Sequence, residues 1–233
     1  PRPLPTRPGP VERALRDLWT PAVRRRLMRP RYWADWLYLR RHYDLRELDA
    51  RELRLDMPVG LLPDCEGCTE VCCTGPTRVV LLRLLDVAAL VDAGLQDHVT
   101  QEKPTFSPSE IEKNPALHDM VHGEAWRMLP ILRQDGTRSC TLLTEDNRCG
   151  AFPSWPLSCA RFPYSLDVLR ARVFYAGSCR SRVQDRSAEA RAREKSLVEA
   201  VVEAYNQRIR DAVLLRVARP ELEELGLGRF IRW

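Results

Sequence analysis

The sequence predicts an α+β protein: a small cysteine-rich domain with short strands, flanked by N-terminal helices and a long C-terminal helix. Three observations predict it. All eight cysteines fall between positions 65 and 179. The segments on either side carry apolar residues at helical spacing. The region between them alternates short apolar runs with turns rich in Gly, Pro, Asn and Asp. The expected organisation is a helical extension over 1–58 (1–10 disordered), a cysteine-cluster domain over 59–182 and a helical segment over 183–233.

Residues 1–10 contain five prolines and read as an extended or disordered lead. "VERALRDLWTPAVRRRLMR", 11–29, predicts helix interrupted near Pro21. "YWADWLYLRRHYDLREL" continues it, with Trp33, Trp36, Leu37, Leu39 and Leu45 at roughly helical spacing. Such a stripe is either core or, given its Trp, Tyr and Arg content, a docking face for a protein partner. Pro58 and Gly60 mark a boundary before the cysteines. "TGP" at 74–76 predicts a turn and "TRVVLL", 77–82, a short strand.

"LLDVAALVDAGL" predicts a helix capped near Gly94, and the polar, proline-bearing 95–114 a loop. Pro115 suits the first turn of a helix over 115–129. Strands are expected at 128–133, 139–144 and 166–175, with "QDG" and "EDN" as hairpin-type turns. The longest helix is predicted over 187–218. There Val198, Val201, Val202, Tyr205, Ile209 and Val213 share one face, and Arg and Glu fill the other.

Bulk composition limits the function classes. Hydrophobic residues at 44% and charged residues at 30% fit a soluble globular chain. The most apolar run, Val79–Val91, is broken by Arg83 and Asp86 and falls short of the ~20 residues of a membrane span. "PRPLPTRPGPVERAL" has no apolar core of a signal peptide, which points to the cytoplasm. Of 37 basic residues only Lys103, Lys113 and Lys195 are lysines. Acids interleave almost everywhere, so the net charge of +5 reads as solvated helix faces rather than a nucleic-acid surface. The exception is "RRRLMRPRYW", 24–33, a basic and aromatic cluster without acids that suits a phosphate or partner surface.

Eight cysteines in a reducing compartment favour metal or redox chemistry over disulfides. Thiolates are soft anionic ligands for Zn²⁺ and for iron–sulfur clusters. The candidate ligands are Cys65, Cys68, Cys72, Cys73, Cys140, Cys149, Cys159 and Cys179. Cys65-x₂-Cys68 has the spacing of a metal knuckle. The adjacent side chains of Cys72 and Cys73 diverge, so they are expected to serve different ions or different irons, in a polynuclear or a double site. The other four are separated by eight, nine and nineteen residues, a spacing open to zinc and to iron–sulfur alike. Arg138, Arg148, Arg161 and Arg180 stand close to these four in sequence, and a nearby cation favours thiolate. His118 and His122, four apart on the expected helix, are a candidate additional metal pair, with two surface histidines the plainer reading. No Ser/His/Asp arrangement, phosphate-binding glycine loop or acid/base pair stands out.

These residues carry a resemblance. Cys65-x₂-Cys68-x₃-Cys72-Cys73, then "RVVLLRLLDVAALVDAGL", then "CTLLTEDNRCGAFPSWPLSCARFPY" resemble the YkgJ-type cysteine-cluster family, described as a zinc- or iron-chelating domain. Cys140, Leu143, Cys149, Phe152, Pro156, Cys159, Phe162 and Pro163 fall on the family pattern, and Cys179 resembles its late cysteine. Trp155 and Ala160 stand where that pattern usually has arginine, although Arg161 follows directly. The resemblance covers roughly 59–182 and implies metal chelation more firmly than any activity. A related group with a similar cysteine pattern, the flagellin lysine N-methylases, implies iron–sulfur-dependent methyl transfer. This chain lacks an evident S-adenosylmethionine signature.

The sequence therefore favours an accessory or subunit protein whose cysteines hold an iron–sulfur cluster or zinc and whose helical flanks dock on another protein. The alternatives are an iron–sulfur-dependent enzyme, by methyl transfer or redox chemistry, and a zinc-dependent nucleic-acid binder.

Overall fold

The computed structural model describes residues 8–42, 45–64, 73–74, 79–113, 128–137, 139–146, 148–151, 155–176, 179 and 181–233. Both helices and short strands are present, with a long C-terminal helix, so the chain is α+β. It divides into two compact units. One comprises 1–45, 72–156 and 207–233, the other 46–71 and 157–206. The three consecutive stretches 1–58, 59–182 and 183–233 each contribute to both units.

In the first unit, α1 (Pro10–Leu18) and α2 (Pro21–Arg26) are separated at Pro21, as the sequence suggests. Each has proline in its first turn, where the missing N–H costs nothing. The Thr20 side chain caps α2 by accepting the Val23 N–H at 3.2 Å. The start of α1 is held from outside, by Asp92, whose carboxylate accepts the Val11 and Glu12 N–H groups at 3.0 and 2.9 Å. A carboxylate at a helix N-terminus satisfies orphan donors and complements the dipole. After a 3₁₀ turn (Pro30–Tyr32) comes α3 (Trp33–His42). Its aromatic stripe is part core and part surface. Leu39 is fully buried and Trp36 and Leu45 are half-buried, whereas Trp33 and Leu37 face solvent.

Helix α4 (Leu84–Asp92) is almost wholly buried and ends as its glycine predicts. Gly94 adopts φ +72°, its N–H donates to Val91 O at 3.0 Å and the Leu95 N–H to Leu90 O at 2.8 Å. Together these close the last turn in a Schellman arrangement. The core of this unit gathers Leu15, Leu39, Leu82, Leu84, Leu90, Leu129, Leu214 and their neighbours.

Four expectations differ from the structure in this unit. The 95–114 loop contains a 3₁₀ turn (Gln96–His98), β1 (Val99–Thr100) and α5 (Pro108–Lys113). The missed signal is Ser107-x-x-Glu110: the Glu110 carboxylate accepts the Ser107 N–H at 2.7 Å and Ser107 Oγ accepts the Glu110 N–H at 3.3 Å. That is a reciprocal capping box followed by proline. The expected 128–133 strand is shorter, β2 (Ile131–Leu132), antiparallel to β1. In place of strands at 77–82 and 139–144, the described residues show single bridges, Leu81 to Ile131, Gln134 to Cys140 and Leu143 to Cys149. The expected helix at 115–129, with His118 and His122, lies mostly outside the described residues.

In the second unit, β3 (Arg54–Leu55) pairs in parallel with β6 (Arg172–Tyr175), which is antiparallel to β5 (Tyr164–Asp167). The single strand expected over 166–175 is thus a hairpin, turned by Val168–Ala171 with the Arg170 N–H bonded to Asp167. A second pair joins β4 (Leu61–Pro63) to β7 (Arg182–Gln184). Gly60, at φ +74°, enters it. A Cβ there would lie 1.8 Å from the Asp185 carbonyl oxygen, so only glycine fits. Leu62, Tyr164, Val173, Leu197, Val198 and Val201 form this unit's core.

Helix α6 (Leu157–Ala160) is one turn, and the long helix is α7 (Ala188–Val217), close to its predicted bounds. Its expected face is buried at Val198, Val201, Val202, Ile209 and Val213, with Tyr205 half-buried. Its polar residues are not all solvated: Glu194, four residues before Val198 on the same face, is buried, and so are Asn206, Gln207 and Asp211. In the second unit Asn206 explains itself, bonding both the N–H and the carbonyl of Leu48 at 2.8 and 2.9 Å. In the first, α7 is followed by α8 (Arg219–Glu224), where Glu221 pairs with Arg26.

Candidate metal centre

The first unit holds Cys73, Cys140 and Cys149 on turns linked by backbone hydrogen bonds. The Cys140 N–H donates to the Cys73 carbonyl at 2.8 Å, and the Cys140 carbonyl accepts the Leu143 N–H at 2.9 Å. The Leu143–Cys149 bridge and the Gly150 N–H to Leu142 carbonyl bond at 2.7 Å place Cys149 beside this turn.

Short polar residues fix the outer ends of both turns. Asp135 accepts the Thr137 and Ser139 N–H groups at 2.8 and 3.0 Å, and its carboxyl is held below its usual range, first by the Thr137 hydroxyl. Thr144 donates to Asp146 Oδ1 at 2.5 Å and accepts the Arg148 N–H at 3.1 Å. Such local bonds from Asp and Thr suit tight turns better than ladders, which is why 139–144 does not extend into a strand.

Cys140 is buried against the core, and Cys73 and Cys149 pack on it half-buried. Burial pushes the Cys140 thiol up, and the nearby Cys149 adds to the shift. A buried thiol that resists ionising is poorly suited to free thiolate chemistry. A cation bound between such groups would reverse the balance, because it stabilises the anionic form.

The second unit holds Cys159 on α6 and Cys179 after β6. Arg161 is near Cys159, and burial lowers its pKa while the Cys159 charge raises it. Its guanidinium donates to the Tyr164 carbonyl at 3.0 Å. Of the four sequence-adjacent arginines, Arg161 is the one with such a coupling among the described residues. Arg148 instead pairs with Asp146 at 3.2 Å, and Arg138 and Arg180 lie outside the described residues. Cys179 Sγ donates to the Ser181 carbonyl at 3.3 Å and accepts the Tyr175 hydroxyl at 3.2 Å. Burial, then this sulfur, pushes the Tyr175 phenol well above its ordinary value. Tyr175 meets Tyr164 edge-on, with ring centroids 6.0 Å apart. Sequence reasoning did not single out either tyrosine, and no spacing signal marks them.

None of the five described cysteines is in a disulfide. Among the described residues, no group of three or more His, Cys, Asp and Glu side chains is placed to hold a metal ion. Cys65, Cys68, Cys72, His118 and His122 lie outside them. Cysteine sulfur is a donor that suits thiophilic metals, and three of the described five share one set of turns. No helix among the described residues is long and apolar enough to cross a membrane. No family model matches the chain, and no curated protein or solved structure matches it.

Proposed function

We propose that the chain is a cytoplasmic thiolate metalloprotein, an accessory or subunit protein that docks on another protein through its helical flanks. Cys65, Cys68, Cys72, Cys73, Cys140, Cys149, Cys159 and Cys179 supply the ligands for zinc or an iron–sulfur cluster. The observation that carries this reading is the linkage of Cys73, Cys140 and Cys149 through their backbones, as unbridged thiols, in a chain whose cysteines all lie between 65 and 179. When bound, the metal supplies cross-linking energy to turns that have little regular structure of their own. The chain's own residues position the sulfurs. The Asp135 and Thr144 turns fix the backbone around Cys140 and Cys149, and Tyr175 orients Cys179.

Substituting Cys159→Ser or Cys68→Ser tests this. Each is expected to release bound metal and to lower the thermal midpoint, read by metal analysis and calorimetry of the same anaerobic preparation. Full metal retention in both variants would overturn the assignment.

A further inference from the structure

Residues 24–41 put a concentrated positive charge around solvent-facing apolar side chains. Met28, Trp33 and Leu37 are 58%, 59% and 61% exposed. Trp33 and Leu37 are one helical turn apart on α3 and so share a face. The Trp33 indole N–H reaches the Met28 carbonyl at 3.4 Å, which draws Met28 to the same place. Around them Arg24, Arg25, Arg29, Arg31, Arg40 and Arg41 are all exposed, and none pairs with a carboxylate among the described residues. Asp35 is the one acid between 21 and 41, and it is engaged with Arg216 at 3.3 Å.

Three of these guanidinium groups are already held by rings: Arg24 over Trp19 at 5.3 Å, Arg31 over Tyr32 at 4.6 Å and Arg40 over Trp36 at 4.8 Å. Stacking restrains a planar fork that matches a carboxylate, so less freedom is lost when the carboxylate arrives.

We propose that this surface of α2, the 3₁₀ turn and α3 binds an acidic segment of another protein, one that carries apolar side chains among its carboxylates. The inference rests on the docking half of the proposed function and gives it a location and a partner chemistry. Arginine forks meet the carboxylates, and Met28, Trp33 and Leu37 take the apolar anchors. An exposed apolar cluster ringed by charge is the usual anatomy of a binding surface. Nucleic acid fits less well: the rings of Trp19, Tyr32 and Trp36 are covered by arginine, and Met28 and Leu37 offer no stacking face. A lipid headgroup layer fits less well too, because the Trp33 N–H that would anchor there is bonded within the chain.

The test is fluorescence anisotropy with the full, metal-replete chain. The probe is a short labelled peptide with Glu and Leu at helical spacing. Polyglutamate of equal charge, a single-stranded RNA and phosphatidylserine vesicles are the competitors. The expected result is peptide binding at least tenfold tighter than polyglutamate. It should weaken at least tenfold in Trp33→Ala/Leu37→Ala and in Arg29→Glu/Arg31→Glu, and weaken as salt rises from about 50 to 200 mM. Metal content and thermal midpoint should be unchanged in both double variants, which separates loss of docking from loss of the metal centre. No peptide binding, equal affinity for polyglutamate, preference for RNA or vesicles, or unchanged affinity in the variants would each overturn the proposal.

Discussion

Replacing Asp211 by asparagine should change how stability depends on pH, and the size of the effect follows from the groups around it. Asp211 lies on α7 and is 1% exposed. Its Oδ1 accepts the Gln207 side-chain N–H at 2.7 Å and its Oδ2 the Leu84 N–H at 3.3 Å, at the start of α4. Arg83 is buried beside it, but Asp86, also buried, accepts the Arg83 N–H and shares that cation's field. Burial is the largest influence and raises the carboxyl from 3.8 to about 7. Arg83 and the two hydrogen bonds oppose the rise, and Asp86 adds to it.

Between pH 4 and 7 the folded chain therefore keeps a proton that the unfolded chain has lost. With more protons bound to the folded state, unfolding free energy falls as pH rises through this window and levels off above about 7. A displacement of this size corresponds to roughly 4 kcal/mol across the window.

Asp211→Asn removes the titration. Its amide oxygen can still accept the Leu84 N–H if Gln207 turns its own carbonyl toward the new NH₂ group. Urea unfolding of both proteins at matched metal content, at several pH values from 4 to 8, reads the effect. The variant should gain stability relative to the parent by a few kcal/mol as pH rises from 4 to 7, with no further gain above. The exposed carboxylates of Asp49, Asp135 and Asp185 are lowered, so their contributions fade only below about pH 4 and cancel in the difference. Parallel stability curves across pH 4–7 would mean that Asp211 is ionised in the folded chain throughout that range.

Two further outcomes are expected. Leu39→Ala empties a fully buried site in the first unit's core and should cost about 2–5 kcal/mol by denaturant unfolding. A loss below about 1 kcal/mol would mean that α3 does not pack there. The Lys103 ammonium donates to the Leu129 carbonyl, and burial, with Arg232 nearby, lowers it from 10.5 to about 8. Reductive ¹³C-methylation and NMR titration should give one of the three lysines a midpoint near 8. Three midpoints near the ordinary value would contradict it.

The helices were the legible part of the fold. Pro21, Gly94 and the Val198–Val213 stripe mark breaks, caps and faces through local chemistry that a single sequence carries. Helix α5 was legible too, through Ser107 and Glu110, yet the polar composition around it reads as loop. The strands were harder, because pairs such as Arg54–Leu55 with Arg172–Val173 depend on partners more than a hundred positions away.

The candidate ligands followed from thiol clustering and the family resemblance. The grouping of Cys73, Cys140 and Cys149 did not, since it is set by turn hydrogen bonds. Nor did the buried Arg83, Asp86 and Asp211, which look like surface charges on amphipathic helices until α4 and α7 supply each other's hydrogen bonds. The exposed half of the α3 stripe was likewise ambiguous: Trp36 and Leu39 turn inward where Trp33 and Leu37 turn out, at identical residue chemistry.

The most direct test of the metal assignment is analysis of iron, zinc and acid-labile sulfide in anaerobically purified protein, paired with native thiol alkylation. The expected result is either a colourless protein with stoichiometric zinc or a brown one with iron and sulfide, its cysteines protected until a chelator is added. A metal-free folded protein in which all eight thiols alkylate freely would contradict it.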